Sequence, residues 1–266
     1  MGSSAPSFTS PRYYHEYAGP VWFEPFAADL ARRLPARPLG DVLEIACGTG
    51  LGTRKLREQL DVSVQLLATD LSKPMLDYAR EQLADHGGIE WREADALALP
   101  FGDASFGAVV CGFGFMFVPD RQGALREARR VLVDGGLLLF NVWDRIEENP
   151  HALANAQVVE AMFPQDSSMK FRTPYEMHDP ALLRRLLTAA RFRETSLEVK
   201  RIAIADAAPY RIAAGQIRGT PRAALLESRG VALDPVIDKV AQKLIEAGGD
   251  PYYGHAQAIV VAAQAI

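Results

Sequence analysis

The chain has 266 residues, 48% of them hydrophobic, with 29 basic and 33 acidic side chains and a formal charge of −4. This length and apolar content allow a sizeable buried core, in one large domain or two small ones, and the acidic balance excludes a chain-wide basic face for nucleic acid. The two cysteines, Cys47 and Cys111, fit no CxxC metal or redox spacing, so no metal site is expected.

The opening residues "MGSSAPSFTSP" lack the basic start and apolar run of a secretion signal. Residues 12–34 are aromatic-rich and amphipathic and are expected to pack over a sheet edge. From 41 to 143, short apolar runs alternate with helical patterns. Strands are predicted at 41–46, 63–70, 89–95, 106–113 and 137–143. Helices are predicted at 51–60, 72–87 and 121–133, the second with Ser72 as N-cap and Pro74 in its first turn. The third, with "LREARRVL" inside it, carries its arginines on a solvent face and ends at the "DGG" turn, 134–136. The apolar stretch "FGAVVCGFGFMFV" (106–118) is short for a membrane span; a soluble, cytoplasmic protein is the expectation. Beyond 143, helices are predicted at 149–163 and 179–192, a strand at 194–204, a mostly helical insertion at about 206–248 and a late apolar strand at 255–266.

Strands alternating with helices at these lengths imply an α/β fold, a doubly wound sheet covered on both faces. In such sheets ligands sit outside the carboxyl ends of the strands, where strand order reverses. The loops after 46, 70, 95 and 112 then share one edge. The first of them is the most informative. In "DVLEIACGTGLGTRKL" three glycines, Gly48, Gly50 and Gly52, are spaced one apart. The dinucleotide fingerprint GxGxxG requires glycine at 53, where this chain has Thr53. Glu44 adds a carboxylate that would repel a diphosphate and attract the ammonium and sulfonium of S-adenosylmethionine. Asp70 closes the second strand and suits two ribose hydroxyls, a device common to both ligand classes. Asp95 closes the third and can accept from an adenine amino group. Three carboxylates at successive strand ends fit a cationic nucleoside better than a diphosphate.

Four blocks, "VLEIACGTG", "ATDLSKPMLDYAR", "READALALPFGDASFGAVVCGFGFMF" and "ALREARRVLVDGGLLLFNVWD", resemble in order and spacing the class I S-adenosylmethionine-dependent methyltransferases, in the ubiquinone/menaquinone-biosynthesis-type (methyltransferase type 11) branch. The resemblance covers about 41–145 and implies a Rossmann-like seven-stranded sheet whose last strand is antiparallel. It implies a single domain over 1–266: an N-terminal helical segment to 40, a cofactor-binding core at 41–145, and a C-terminal part carrying the helical substrate lid. By resemblance, Glu44, Ala46, Gly48 and Gly50 line the methionine and ribose, and Asp70 takes the ribose. Leu71 and Met75 lie beside the adenine, Asp95 and Ala96 take its edge, and Cys111 lies near the methionine. Two positions depart from the pattern: Gly107 stands where the family often has Asp, and Arg191 where it has Gly.

The acceptor is expected to be a small, largely apolar or aromatic molecule, with Tyr14, Phe113, Phe115, Trp143 and Tyr210 as candidate contacts. Displacement at a sulfonium methyl needs alignment more than protein chemistry, which accounts for the lack of a visible catalytic constellation. A base is required only if the acceptor holds a proton at attack. His151, following the fifth strand, is the one candidate, against the plainer reading of a helix-start residue after Pro150. Two rivals stand beside methyl transfer: a nicotinamide-dependent oxidoreductase, and a non-catalytic S-adenosylmethionine-binding protein.

Overall fold

Four consecutive residues, Val42–Ile45, form strand β1, and all four are buried. Such a strand can only lie mid-sheet with both faces covered, and it does: β1 pairs in parallel with β2 (Leu66–Asp70) and β4 (Phe106–Gly112). The computed structural model describes residues 10–170 and 172–266. The start of the opening segment, residues 1–9, lies outside them. With β3 (Ile89–Glu93), β5 (Leu132–Trp143), β6 (Phe192–Ala207) and β7 (Tyr252–Ala265), the strands form one seven-stranded sheet in the order β3-β2-β1-β4-β5-β7-β6. The strand last in sequence, β7, runs antiparallel to both its neighbours, as expected. Strand order reverses between β1 and β4, so a ligand crevice opens at their carboxyl ends.

Ten α-helices cover the sheet: α1 (Pro11–Tyr13), α2 (Glu24–Arg32), α3 (Leu51–Gln59), α4 (Lys73–Gln82), α5 (Arg121–Val131), α6 (Pro150–Met162), α7 (Pro180–Ala189), α8 (Pro209–Arg218), α9 (Arg222–Glu227) and α10 (Leu233–Gly248), counted among the described residues. The expected insertion between the last two strands is the trio α8–α10. None of the described helices is long and apolar enough to cross a membrane.

Three local expectations change. Ser72 holds the N-cap position of α4 but its side chain makes no capping bond; its backbone N–H instead donates to Asp70 Oδ1 at 2.7 Å. The "DGG" turn is absorbed into β5, where pairing with β4 skips from Phe106↔Leu132 to Ala108↔Leu137 and Gly135 takes φ 78°. The segment 12–34 packs not at a sheet edge but across the middle, with Phe26 edge-on to Phe113 and Trp143 at the ends of β4 and β5. Between α1 and α2 that segment is π-helical, Tyr14–Phe23, with Pro20 inside it. Such wide turns favour functional sites.

Both departures from the family pattern have local causes. A Cβ at Gly107 would stand 2.1 Å from the backbone N of Gly40, so no side chain fits there. Arg191 takes φ 61°, the left-handed conformation that favours glycine, and keeps a side chain at a conformational cost.

Candidate functional site

The glycine loop is a run of left-handed turns. Ala46, Gly48 and Gly50 have φ of 55°, 56° and 83°. Gly50 opens α3 as its N-cap residue. A Cβ there would crowd Leu83 and Ala79, so Gly50 serves helix packing and lines neither ligand cleft, contrary to expectation. A Cβ at Gly48 would meet nothing within 4 Å: its Cα faces open space. A Cβ at Gly52 would lie 2.4 Å from Glu44 Oε1. The third glycine thus lets α3 close on the Glu44 carboxylate.

Glu44 is buried, and Thr53 Oγ1 donates to its Oε2 at 2.5 Å. Thr53, which breaks the dinucleotide fingerprint, is therefore the carboxylate's partner. Burial pushes the Glu44 carboxyl up to about 8, against the Thr53 hydrogen bond and with added repulsion from Asp70. Asp70 Oδ2 accepts from Gly48 N–H at 2.8 Å, which ties the glycine loop to the end of β2. Burial also raises the Asp70 carboxyl, and its bonds to the Ser72 and Gly48 N–H groups oppose the rise. Two carboxylates near one another and poorly solvated make a site that is more stable with a cation in it. Thr49 Oγ1, on the same loop, is buried with no hydrogen-bond partner and lines the cavity that Glu44 lines.

That cavity, about 540 Å³, is lined by Glu44, Ala46 and Gly48. It adjoins an open cleft of about 1100 Å³ lined by Ala46, Gly48, Asp70, Leu71 and Met75. Asp95 and Ala96 complete its far wall, with Asp95 Oδ1 accepting from Leu97 N–H at 2.9 Å. Eight of the ten residues expected at the cofactor thus gather along one trough. Besides Gly50, the exception is Cys111. It is fully buried on β4 and lines neither cavity; burial pushes its thiol up to about 12, so it is an inert core residue. Its neighbour Gly112 faces the trough instead, as the alternation of a strand requires.

A third cavity, about 760 Å³, opens beneath the helices that follow β5. Tyr14 and Phe113 line all three cavities and so stand at their junction. Phe113 takes φ 57°, and its N–H is held by Asn141, at 2.9 Å from Oδ1 and 3.2 Å from the backbone O. A strained residue fixed this firmly at a ligand rim suggests a positioning role. Its ring stacks on Trp143 with centroids 4.2 Å apart. Trp143 and His151 also line this chamber.

Two expected acceptor contacts lie elsewhere. Phe115 is fully buried and packs edge-on against Phe140, because the 3-10 turn Phe115–Phe117 folds it back over the sheet. Tyr210, at the start of α8, is 49% exposed and lines none of the cavities. Its neighbour Arg211 secures the lid instead, donating to Glu16 O at 2.9 Å and lying over the Tyr17 ring.

His151 is buried, its ring stacked on Trp22 at 4.7 Å between centroids. Its Nδ1 lies 3.3 Å from the His255 carbonyl oxygen. A carbonyl only accepts, so Nδ1 carries the proton and Nε2 is the basic nitrogen. Burial pulls the ring down to about 4, which keeps it neutral at physiological pH. Sequence reasoning missed Asn141, Thr49, Asn155, Gln216 and Arg222, all of which line cavities. Asn141, on the fifth-strand motif, and Thr49, inside the glycine loop, stand within stretches that could have drawn notice.

Sheet order, crevice position and an acid-lined trough define a class: an α/β nucleoside-binding protein that holds its ligand with carboxylates and not with a phosphate cradle. Residues 43–140 match the family model described as a methyltransferase domain. The ubiquinone/menaquinone biosynthesis C-methyltransferase UbiE of Hahella chejuensis is 46% identical over 101 residues, 37% of this chain and 41% of that protein. The demethylmenaquinone methyltransferase of Deinococcus radiodurans is 40% identical over 120 residues, 45% of this chain and 48% of that one. The matched stretches span less than half the length of these curated relatives. Among solved structures, the [4+2]-cyclase SpnF superposes with TM-score 0.58 at 19% identity, covering 91% of this chain and 81% of SpnF. Geranyl diphosphate methyltransferase in complex with S-adenosylmethionine gives 0.53 at 16%, covering 91% and 85%. At those identities the likeness shows the fold alone, and the name cyclase among these proteins underlines that.

Residues 43–140 match a methyltransferase domain and are similar to class I S-adenosylmethionine-dependent methyltransferases of the ubiquinone/menaquinone-biosynthesis type, and S-adenosylmethionine is the cofactor. The nicotinamide rival is set aside: the residue that breaks its fingerprint, Thr53, is bonded to a buried carboxylate where a phosphate would need to approach.

Proposed function

We propose that this protein transfers a methyl group in line from S-adenosylmethionine to a small, largely apolar or aromatic acceptor seated in the chamber beneath α6, α8 and α9. The observation that carries the reading is the continuity of an acidic trough with an aromatic chamber through Tyr14 and Phe113. Bound S-adenosylmethionine supplies an electrophilic methyl on a sulfonium centre. The residues fit that group. Glu44, ionised, faces the ammonium of the methionine end, and the unpartnered Thr49 hydroxyl gains a partner there. Asp70 has lone pairs left for ribose hydroxyls after its two backbone bonds. Leu71 and Met75 cover the adenine, with Asp95 and Ala96 at its edge.

Phe113 and Trp143 orient a flat acceptor by stacking, and Tyr14 and Phe23 close the chamber from above and exclude water. Neutral His151 offers Nε2 as a base for an acceptor that loses a proton. The helical lid comes from residues outside the matched 43–140, so the relatives' quinone acceptors do not transfer to this chain by similarity alone. Catalysis, as against cofactor binding without turnover, is favoured by the chamber itself, which a pure binding protein has no need to keep. Calorimetry with S-adenosylhomocysteine and with a nicotinamide dinucleotide tests the reading. Binding of the first and not the second supports it; the reverse overturns it.

A further inference from the structure

The chamber wall carries a hydrogen-bond acceptor that methyl transfer itself does not use. It belongs to Gln216, on α8, which lines the chamber and is only 7% exposed. This residue is held from three sides. A Cβ at its neighbour Gly215 would lie 3.0 Å from Tyr17 Cβ and 3.1 Å from Ala18 N, so α8 lies hard against the π-helical segment. Thr220 Oγ1 donates to the Gln216 backbone O at 2.6 Å and closes the helix end. The side-chain Nε2 donates to His151 O at 3.1 Å.

That last bond sets which way the amide points. A carbonyl only accepts, so the amide nitrogen must face His151 and the oxygen must face away from it. This oxygen, Oε1, is buried and has no hydrogen-bond partner among the described residues. A buried acceptor in this condition is costly until something donates to it. A second acceptor lines the same chamber: His151 Nε2, left without a proton because Nδ1 faces the His255 carbonyl. Asn155 Oδ1, by contrast, is already taken by Arg222 Nη1 at 3.1 Å.

We infer that Gln216 is a specificity-determining residue: its Oε1 accepts a hydrogen bond from a neutral O–H or N–H on the methyl acceptor, a group other than the one that is methylated. This rests on the methyl-transfer reading and names the acceptor class within it. A neutral donor fits because the chamber is largely aromatic, and a charged donor would cost far more to strip of water. The donor is not the reacting group, because Gln216 lines only the chamber and neither of the cavities at Glu44 and Asp70, where the cofactor sits. The acceptor therefore has two ends. One lies at the Tyr14–Phe113 junction and receives the methyl; the other is anchored at α8 and leaves with its hydrogen still on it. An analogue with an ether oxygen or a fluorine at the anchored end sets two acceptors against each other and is rejected.

The test uses the full chain saturated with S-adenosylhomocysteine, whose own affinity reports on the cofactor trough separately. Matched pairs that differ in one donor are titrated by calorimetry: indole against benzofuran, and each naphthol against the fluoronaphthalene of the same shape. The wild type is expected to bind the donor of at least one pair about tenfold more tightly than its partner, the scale of satisfying one buried acceptor. Gln216→Met removes the oxygen at nearly constant volume. It is expected to bring the members of that pair within about twofold of each other while S-adenosylhomocysteine affinity holds, since the trough is a separate site. Should Gln216→Met fail to fold, Gln216→Asn keeps an amide but withdraws its oxygen by one methylene, and is expected to abolish the same preference. A merely structural role would weaken both members equally and leave the preference in place. Equal binding within every pair in the wild type, binding of neither member of any pair, or a preference that survives the substitution overturns the inference. Failure to bind S-adenosylhomocysteine overturns instead the reading on which it rests.

Discussion

The trough at Glu44 and Asp70 is built from backbone, whereas the chamber under the lid is built from side chains. In the trough, left-handed turns at Ala46, Gly48 and Gly50 shape the loop, and Gly48 N–H binds Asp70 directly. The carboxylates that line it come from strand ends within 44–95. In the chamber, Tyr14, Trp143, His151, Gln216 and Arg222 converge from segments more than 200 residues apart in sequence. A cofactor with one fixed shape can be met by fixed backbone. An acceptor must be met by side chains that can differ from one protein to another on the same fold. The two regions should therefore fail separately when changed.

The largest effect is expected at Glu44. Glu44→Gln keeps the shape and the Thr53 hydroxyl but removes the charge, and should weaken S-adenosylhomocysteine by roughly 3 kcal/mol, the scale of breaking a buried charged partnership. The sign of the pH dependence follows from the raised carboxyl, about 8 in the free protein. Below that value Glu44 holds its proton, and a cationic ligand favours the ionised form. Affinity should therefore rise as pH increases toward 8, and calorimetry on the variant should show a flatter profile. The same raised value means that ionising Glu44 costs stability as pH climbs from the ordinary carboxylate range through 8, so the variant should lose less stability over that window in urea titrations.

Asp70→Ala comes next for cofactor affinity, with a loss of roughly 1–3 kcal/mol, the usual cost of stranding polar partners. Here the stranded groups include Gly48 N–H, so the glycine loop should also loosen, visible as faster amide exchange at 46–50. Neither change should alter the chamber. An equal loss of affinity for acceptor analogues would mean the two regions are one.

The opposite break is His151→Gln. It should leave S-adenosylhomocysteine affinity unchanged and lower turnover only on acceptors that must lose a proton. Because burial depresses the ring to about 4, its contribution to stability is present above the ordinary histidine range and is lost as pH falls from 6.5 toward 4. The variant should resist acid better than the wild type, by up to about 3 kcal/mol near pH 4, measurable by urea unfolding. The smallest effect lies outside both regions: Arg191→Gly relieves a left-handed conformation and should raise stability by roughly 0.5–1 kcal/mol.

The same contrast explains what the sequence reveals. The strands and the trough are legible because their signals are local: apolar runs, acids at strand ends, glycines a residue apart. Even there, Gly50 and Cys111 mislead, because a motif position does not say whether a residue faces the ligand or the packing behind it. Phe115 and Tyr210 mislead for want of a direction: composition places aromatics near the acceptor, and a single 3-10 turn sends Phe115 into the core. Arg222, Asn155 and Gln216 carry no spacing signature, since only the folded lid brings α6, α8 and α9 together. The π-helical stretch at Tyr14–Phe23 has a period that a search at 3.6 residues passes over.

The central claim is that a buried, partly protonated carboxylate awaits a cationic sulfur nucleoside. Titration of S-adenosylmethionine at pH 7 in two buffers of different ionisation enthalpy measures it most directly. Release of about one proton on binding, absent in Glu44→Gln, is the predicted result. Binding with no proton released in the wild type, or with the same release in the variant, would contradict the account.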